Sequence, residues 1–297
     1  MDGIIAAARR RTGAAVVIGN FDGVHVGHRI LVARALADAE ANGLRSVVLT
    51  FDRHPATVVR PASAPRLLTS VEEKLALLEA TGVDEVVVLR FDAARAGESA
   101  EDFVRTVLVD ELDARTVIVG ASFRFGHGQG GDVALLARMG GELGFTVDRV
   151  ELVVDDVGGG SSIVSSSRIR SLIASAHLSE AGELLGRPHS VAARVEVVDA
   201  GPRRLVASVP AELLVPPAGR YLGELAVGTE PARRDVRAVE IVVAARAGEL
   251  TAPSPLLVAE VAEPSVLELD FAESGGQPSP IHAGDLVVVS FIAPARR

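Results

Sequence analysis

Between residue 14 and about residue 155 the chain alternates short apolar runs with segments of helical period, and no other feature limits its fold so strongly. The runs are Ala14–Gly19, Ser46–Phe51, Glu85–Leu89, Thr116–Gly120 and Phe145–Val154. Helix signals lie between them. Ile30, Leu31, Ala35 and Ala39 make one apolar stripe that Gly43 closes; Ser70-Val71-Glu72-Glu73 is a capping box for a helix ended by Gly82; Ser99 and Asp102 suit another start; Asp132 opens a helix that Gly144 closes. Such alternation implies parallel strands joined by right-handed crossovers, an α/β domain of Rossmann-like layering. In sheets of that kind ligands bind beyond the carboxyl ends of the strands.

The residues with chemical capability fall at those ends. After the first strand comes Gly19-Asn20-Phe21-Asp22-Gly23-Val24-His25-Val26-Gly27-His28, so both histidines sit where strand becomes helix. Free backbone N–H groups and the positive end of a helix dipole meet there, the glycines let a ligand approach the backbone, and two imidazoles three residues apart add donors. The spacing suits a nucleotide's phosphates. Ordinary turn and cap roles for His25 and His28 remain the competing reading.

After the second strand stand Phe51, His54 and Pro55; after the fourth, Gly120, Ser122, Phe123, Arg124, Phe125 and Gly126; after the fifth, a Gly-rich stretch at 158–160 leads to Ser165, Ser166, Ser167, Arg168 and Arg170. Phe51, Phe123 and Phe125 are three of only nine phenylalanines, so their placement in loops suits either a flat aromatic ligand or plugs at strand ends. Helical spacing puts Ser167 and Arg170 on one face and Arg168 on another, which makes Arg170 the better phosphate ligand. Helix capping accounts equally for Ser165–Ser167.

Composition removes several functional classes. No run of about 18 uncharged apolar residues exists, which argues against a membrane protein, and the charge order of the first residues is wrong for a secretory signal. Without cysteine there is no disulfide, thiolate nucleophile or zinc–thiolate centre, in keeping with a reducing cytoplasm. A net charge of −9 argues against a nucleic-acid partner. Lys74 is the only lysine and lies inside a helical pattern, so any ATP site is not a P-loop.

Beyond about residue 189 the pattern changes. Runs at Val191–Val198, Leu205–Val209, Tyr221–Val227, Val236–Ala244, Leu256–Val261, Val266–Phe271 and Leu286–Phe291 are broken by Pro and Gly at the intervals of antiparallel sheet. The expected organisation is a nucleotide-binding α/β domain over 1–188 and a small antiparallel β-barrel over 189–297.

Taken together, Gly19–His28, Phe51-x-x-His54-Pro55, Phe123-Arg-Phe-Gly126, Ser165-Ser-Ser-x-Ile-Arg170 and Leu184-Leu-Gly-Arg-Pro188 resemble the bacterial FAD synthetase family. Its members join an FMN adenylyltransferase domain to a riboflavin kinase barrel. The resemblance implies that ATP and FMN are substrates. It assigns His25, His28 and Arg170 to catalysis, and Gly19, Asn20, Phe21, Asp22, Gly23, Gly27 and Ser165–Ser167 to ATP. Phe51, His54, Pro55, Ser122, Phe123 and Phe125 go to FMN, and Mg²⁺ is the implied cofactor, its ligands unassigned. Two departures stand out. Ser122 occupies a place where the family usually has Asn or Asp, and Val209-Pro210-Ala211-Glu212 stands where the kinase has Pro-Thr-Ala-Asn. The barrel is therefore expected to keep its fold without its kinase site, retained for docking or stability. Another nucleotidylyltransferase and a non-catalytic flavin- or nucleotide-binding paralogue are the alternatives. A homo-oligomer is compatible with the sequence.

Overall fold

The computed structural model describes residues 13–151, 154–155, 162–198, 204–227, 235–244, 265–271 and 282–295. Its contacts divide the chain into two compact units: residues 1–64 with 74–153, and residues 65–73 with 154–297.

In the first unit, strands β1 (Ala14–Ile18), β2 (Arg45–Phe51), β3 (Glu85–Leu89) and β4 (Ala114–Gly120) are followed by a two-residue hairpin, β5 (Arg124–Phe125) with β6 (Gly131–Asp132), and then by β7 (Thr146–Val150). The main sheet runs β3-β2-β1-β4-β7 with every pair parallel. Alternate residues of β1 enter two different cores: Ala14, Val16 and Ile18 one, Ala15 and Val17 the other. That two-sided burial is why β1 is continuously apolar rather than alternating. The run expected as one strand from Phe145 to Val154 is split. β7 ends at Val150 because its partner β4 ends at Gly120, while Val154–Asp155 forms β8 and pairs antiparallel with β9 (Ser162–Ile163) in the second unit.

Helix α1 (Val26–Asn42) buries Val32, Ala35 and Ala39 and ends at Gly43 in the left-handed region, φ 69°. The short turn α2 (Ala56–Val59), then α3 (Val71–Glu79), α4 (Ala93–Ala96) and α5 (Ala100–Phe103) follow, the last running on through Val104–Glu111 with π-type bonding. Ser70 Oγ accepts the N–H of Glu73, Ser99 accepts that of Asp102, and Asp132 caps α6 (Val133–Leu143) by accepting from Leu135.

In the second unit, α7 (Ser166–Ala174) and α8 (Leu178–Leu185) precede six antiparallel strands: β10 (His189–Val198), β11 (Arg204–Val209), β12 (Gly219–Val227), β13 (Asp235–Ala244), β14 (Ser265–Phe271) and β15 (Leu286–Pro294). Their pairing runs β10-β11-β14-β13-β12-β15, and β15 also pairs with β10, so the ladder returns to its first strand. Val191, Ala193, Val195, Leu225, Ile241, Val287, Val289 and Phe291 are buried within it. A Cβ on Gly223 would lie 2.2 Å from the Ser290 carbonyl, so only glycine fits there. The expected strand at Leu256–Val261 lies outside the described residues.

Residues 65–73 are bound into this second unit. Leu67 N–H donates to Glu212 O and Leu214 N–H to Leu67 O, while Ser190 Oγ donates to the Glu73 carboxylate at 2.8 Å. The compact units thus part at 153/154, ahead of the 188/189 boundary drawn from composition, because α7, α8 and this strap make their contacts with the strands. No helix among the described residues is long and apolar enough to cross a membrane.

Candidate active site

The strand order reverses at β1 and β4, so the loops after these two strands leave the sheet at its topological switch point, where adjacent crossovers diverge and open a crevice. The loop after β1 is tightly specified. Phe21 and Val24 both take positive φ, 53° and 39°, with Gly23 at 83°; for Val24, a β-branched residue, that conformation is costly. Burial offsets the strain. The Phe21 ring is fully buried, and a Cβ on Gly19 would press on it at 3.1 Å. Phe21 was expected on the ATP side, but its ring belongs to the core and leaves only its backbone to face a ligand.

His25 caps α1 in an extended conformation, its Nδ1 accepting the N–H of His28 at 3.3 Å. The two imidazoles stack with centroids 3.5 Å apart and planes 16° apart, and the edge of Phe21 meets His28 at 5.1 Å. An accepting Nδ1 leaves the His25 proton on Nε2. His28 is partly exposed as a residue, yet its Nδ1 is sealed from solvent and has no hydrogen-bond partner among the described residues. A proton on that atom would be an unpaired buried donor, so it too rests on Nε2. Burial, the stacked His25 ring and the charge of Lys74 hold His28 well below the ordinary histidine pKa. The loop therefore places a neutral His28 imidazole, its proton on Nε2, against the His25 ring at the N-terminus of a 17-residue helix. Anionic oxygens are the ligands such a set suits. Among the described residues no group of three or more His, Asp or Glu could hold a metal ion. The donors here fit phosphate oxygens.

The loops after β2 and β4 carry the aromatic residues. Phe51 is half-buried and meets Phe91 edge-on at 5.3 Å; Phe123 stacks on Phe125 at 5.3 Å, and Phe125 is buried against Phe103. Phe125 plugs the core, while Phe51 and Phe123 pack against it partly buried and keep a solvent-facing portion. His54 Nδ1 accepts the N–H of Ala56, fixing the turn at Pro55 into α2. Ser122 is exposed, and no hydrogen bond of its hydroxyl is found among the described residues.

The Ser165–Arg170 segment belongs to the second unit. Ser165 Oγ accepts the N–H of Arg168 and caps α7, as the capping alternative required; Ser166 and Ser167 open the helix, Ser167 exposed. Arg168 turns back to the Ser162 carbonyl, whereas Arg170 Nε donates to Arg66 O at 2.7 Å.

One residue at the first unit's loops escaped the sequence reading. Lys74 is 5% exposed, and its ammonium donates to Phe51 O at 2.7 Å and to Asn20 O at 3.3 Å. The available signal was its place on α3, one turn before the buried Leu78 and so on the buried face.

The sequence pattern of the FAD synthetase family matches residues 7–168, a span that includes every residue expected at the site except Arg170. This chain belongs to the FAD synthetase family. A relative from Escherichia coli K12, a bifunctional riboflavin kinase/FMN adenylyltransferase, is 35% identical over 74% of this chain and 70% of its own length. The protein of that name from Pseudomonas fluorescens is 37% identical over 62% of this chain and 57% of its own. Among solved structures, a chain described as a macrolide-efflux protein from Streptococcus pneumoniae superposes with a TM-score of 0.73, covering 96% of this chain and 86% of that one at 22% identity. At that identity the likeness concerns fold alone. FAD synthetase membership agrees with the loops at the switch point, whose donors suit phosphate and whose half-exposed rings suit a flat ligand.

Proposed function

We propose that this chain transfers the adenylyl group of ATP to FMN, giving FAD and pyrophosphate, and that it leaves riboflavin unphosphorylated. The observation that carries the reading is the stacked His25–His28 pair at the N-terminus of α1, on a strained loop at the sheet's switch point. In this reading an oxygen of the FMN phosphate attacks the α-phosphorus of ATP in line. The bond from that phosphorus to the bridging oxygen breaks, and pyrophosphate leaves with the electron pair. No covalent intermediate forms on the protein. The chain's part is positioning and charge stabilisation: the α1 N–H groups and the His25 and His28 imidazoles take phosphate oxygens, and Arg170 adds a guanidinium. Gly19–Gly23, Gly27 and Ser165–Ser167 serve the ATP side; Phe51, His54, Pro55, Ser122 and Phe123 serve FMN, with Phe125 behind Phe123.

The functional division runs at 188/189, with adenylyl transfer in 1–188 and a barrel without kinase chemistry in 189–297. Divalent metal, read as Mg²⁺, accompanies ATP, and a cytoplasmic location fits a cysteine-free chain.

Purified protein incubated with ATP, Mg²⁺ and, separately, FMN, nicotinamide mononucleotide and phosphopantetheine tests the reading. FAD and pyrophosphate should form with FMN only. Product with another acceptor, or with none, overturns it.

A further inference from the structure

Lys74 is the chain's one lysine, and the structure spends it in a nearly sealed position. Its ammonium joins two loops. Asn20 O belongs to the loop after β1 and Phe51 O to the end of β2, and Thr50 Oγ also donates to Asn20 O, so three groups converge on the point where these loops part. Two carbonyl acceptors leave one N–H of the ammonium without an acceptor among the described residues. Burying a charge in this way is costly. A methionine would fill similar volume at lower cost, so packing alone does not account for it. The surrounding charges are those of Asp22 in the first loop and Asp52 in the second, both favouring the ammonium against burial, which pulls its pKa down.

We propose that Lys74 is a positioning residue of adenylyl transfer: by bridging Asn20 and Phe51 it fixes the spacing between the phosphate loop and the flavin loop and places positive charge behind the His25–His28 pair. The assignment rests on the proposed function for which substrate each loop serves; the bridge itself does not. Its influence on the phosphate loop has a separate signature. The charged groups that act on His28 are His25, whose ring stacks on it, and Lys74, with the edge of Phe21 beside them, and both oppose a second proton on the His28 ring. Removing the ammonium relieves part of that opposition.

The test uses the full chain with Lys74→Met and Lys74→Gln, both uncharged, and with Lys74→Cys. Because the parent has no cysteine, the last can be alkylated at that position alone, unfolded and then refolded, with 2-bromoethylamine to restore an ammonium at nearly the original length. Two quantities are read: FAD formation, and the titration of the His28 ring by NMR, its signal assigned by loss in His28→Ala. The uncharged variants should fold, lose about 10- to 100-fold in kcat, the scale of a small misplacement of reacting groups, and titrate His28 about half a pH unit or more higher. Aminoethylated Lys74→Cys should recover both. A folded uncharged variant with parental kcat and parental His28 titration overturns the proposal, and so does failure of both uncharged variants to fold, since Lys74 would then be a determinant of folding. If the parent makes no FAD, the proposed function fails on its own, while the His28 titration still decides whether Lys74 sets the state of the phosphate loop.

Discussion

His25 accepts the backbone N–H of His28 through Nδ1 while their rings lie 3.5 Å apart, so one residue caps the helix and the other packs on the cap. The capping and phosphate-binding roles that compete in the sequence are compatible in three dimensions. The cap uses the Nδ1 of His25 and the backbone N–H of His28, not the His28 ring.

Replacing the outer member of the pair should separate those roles. In His28→Ala the N–H to Nδ1 bond survives, because it is a backbone donor, and the fold should persist. FAD formation should fall by roughly 10²–10³ in kcat, the scale for losing one donor to developing charge. Parental turnover in a folded variant would remove His28 from the mechanism.

Acid should destabilise the second unit well above the carboxylate range. His189 is buried, donates from Nε2 to Leu214 O at 2.8 Å and has no partner for Nδ1 among the described residues; burial lowers its pKa to about 4 against the favourable Leu214 bond, with Arg187 adding to the lowering. Between pH 6.5 and 4 the unfolded ring binds a proton that the folded ring refuses. Stability is unaffected above that window and falls as pH drops through it, by roughly 3 kcal/mol at its lower end. Burial of His28 acts in the same direction in the first unit. Tyr221, the only tyrosine in a chain without tryptophan, sits against Phe291, on which His189 also stacks. Its fluorescence thus reports this unit alone. Urea midpoints followed that way should drop between pH 7 and 4.5, and His189→Gln should flatten the dependence; a level profile in the parent would refute it.

Riboflavin should not be phosphorylated. Where the kinase has Thr and Asn, Pro210 offers neither hydroxyl nor N–H and Glu212 no amide, and the segment's backbone is committed: Leu213 N–H donates to Pro210 O, and Glu212 O accepts from Leu67. Appearance of FMN from riboflavin, ATP and Mg²⁺ at a rate that scales with this protein would contradict the prediction.

Ser122→Asn should tighten FMN binding. Ser122 is exposed in the turn where Phe123 N–H donates to Gly120 O, so a longer amide meets no packed neighbour. One added hydrogen bond is worth about 0.5–1.5 kcal/mol, up to roughly tenfold in Kd. Titration by flavin fluorescence with a non-hydrolysable ATP analogue measures the change, and equal or weaker binding by the Asn variant would argue for a pocket shaped to another ligand.

The sequence by itself determined the α/β alternation, the caps at Ser70, Ser99, Asp132, Gly43 and Gly144, and the loops that carry the site, because these depend on local periodicity and on side chains bonding their own backbone. It could not decide what the burial of each loop residue would be. Phe21 and Phe51 stand alike in sequence, each near the end of an apolar run, yet one ring is sealed in the core and the other half-exposed, with the backbone at Phe21 turned to positive φ. Nor could it reveal that residues 65–73 join the second unit through Leu67 and Glu73, or that Lys74 reaches Asn20, 54 positions away. Those contacts carry no periodic signature; only tertiary structure, by bringing distant backbone carbonyls and buried charges within hydrogen-bonding distance, decides them.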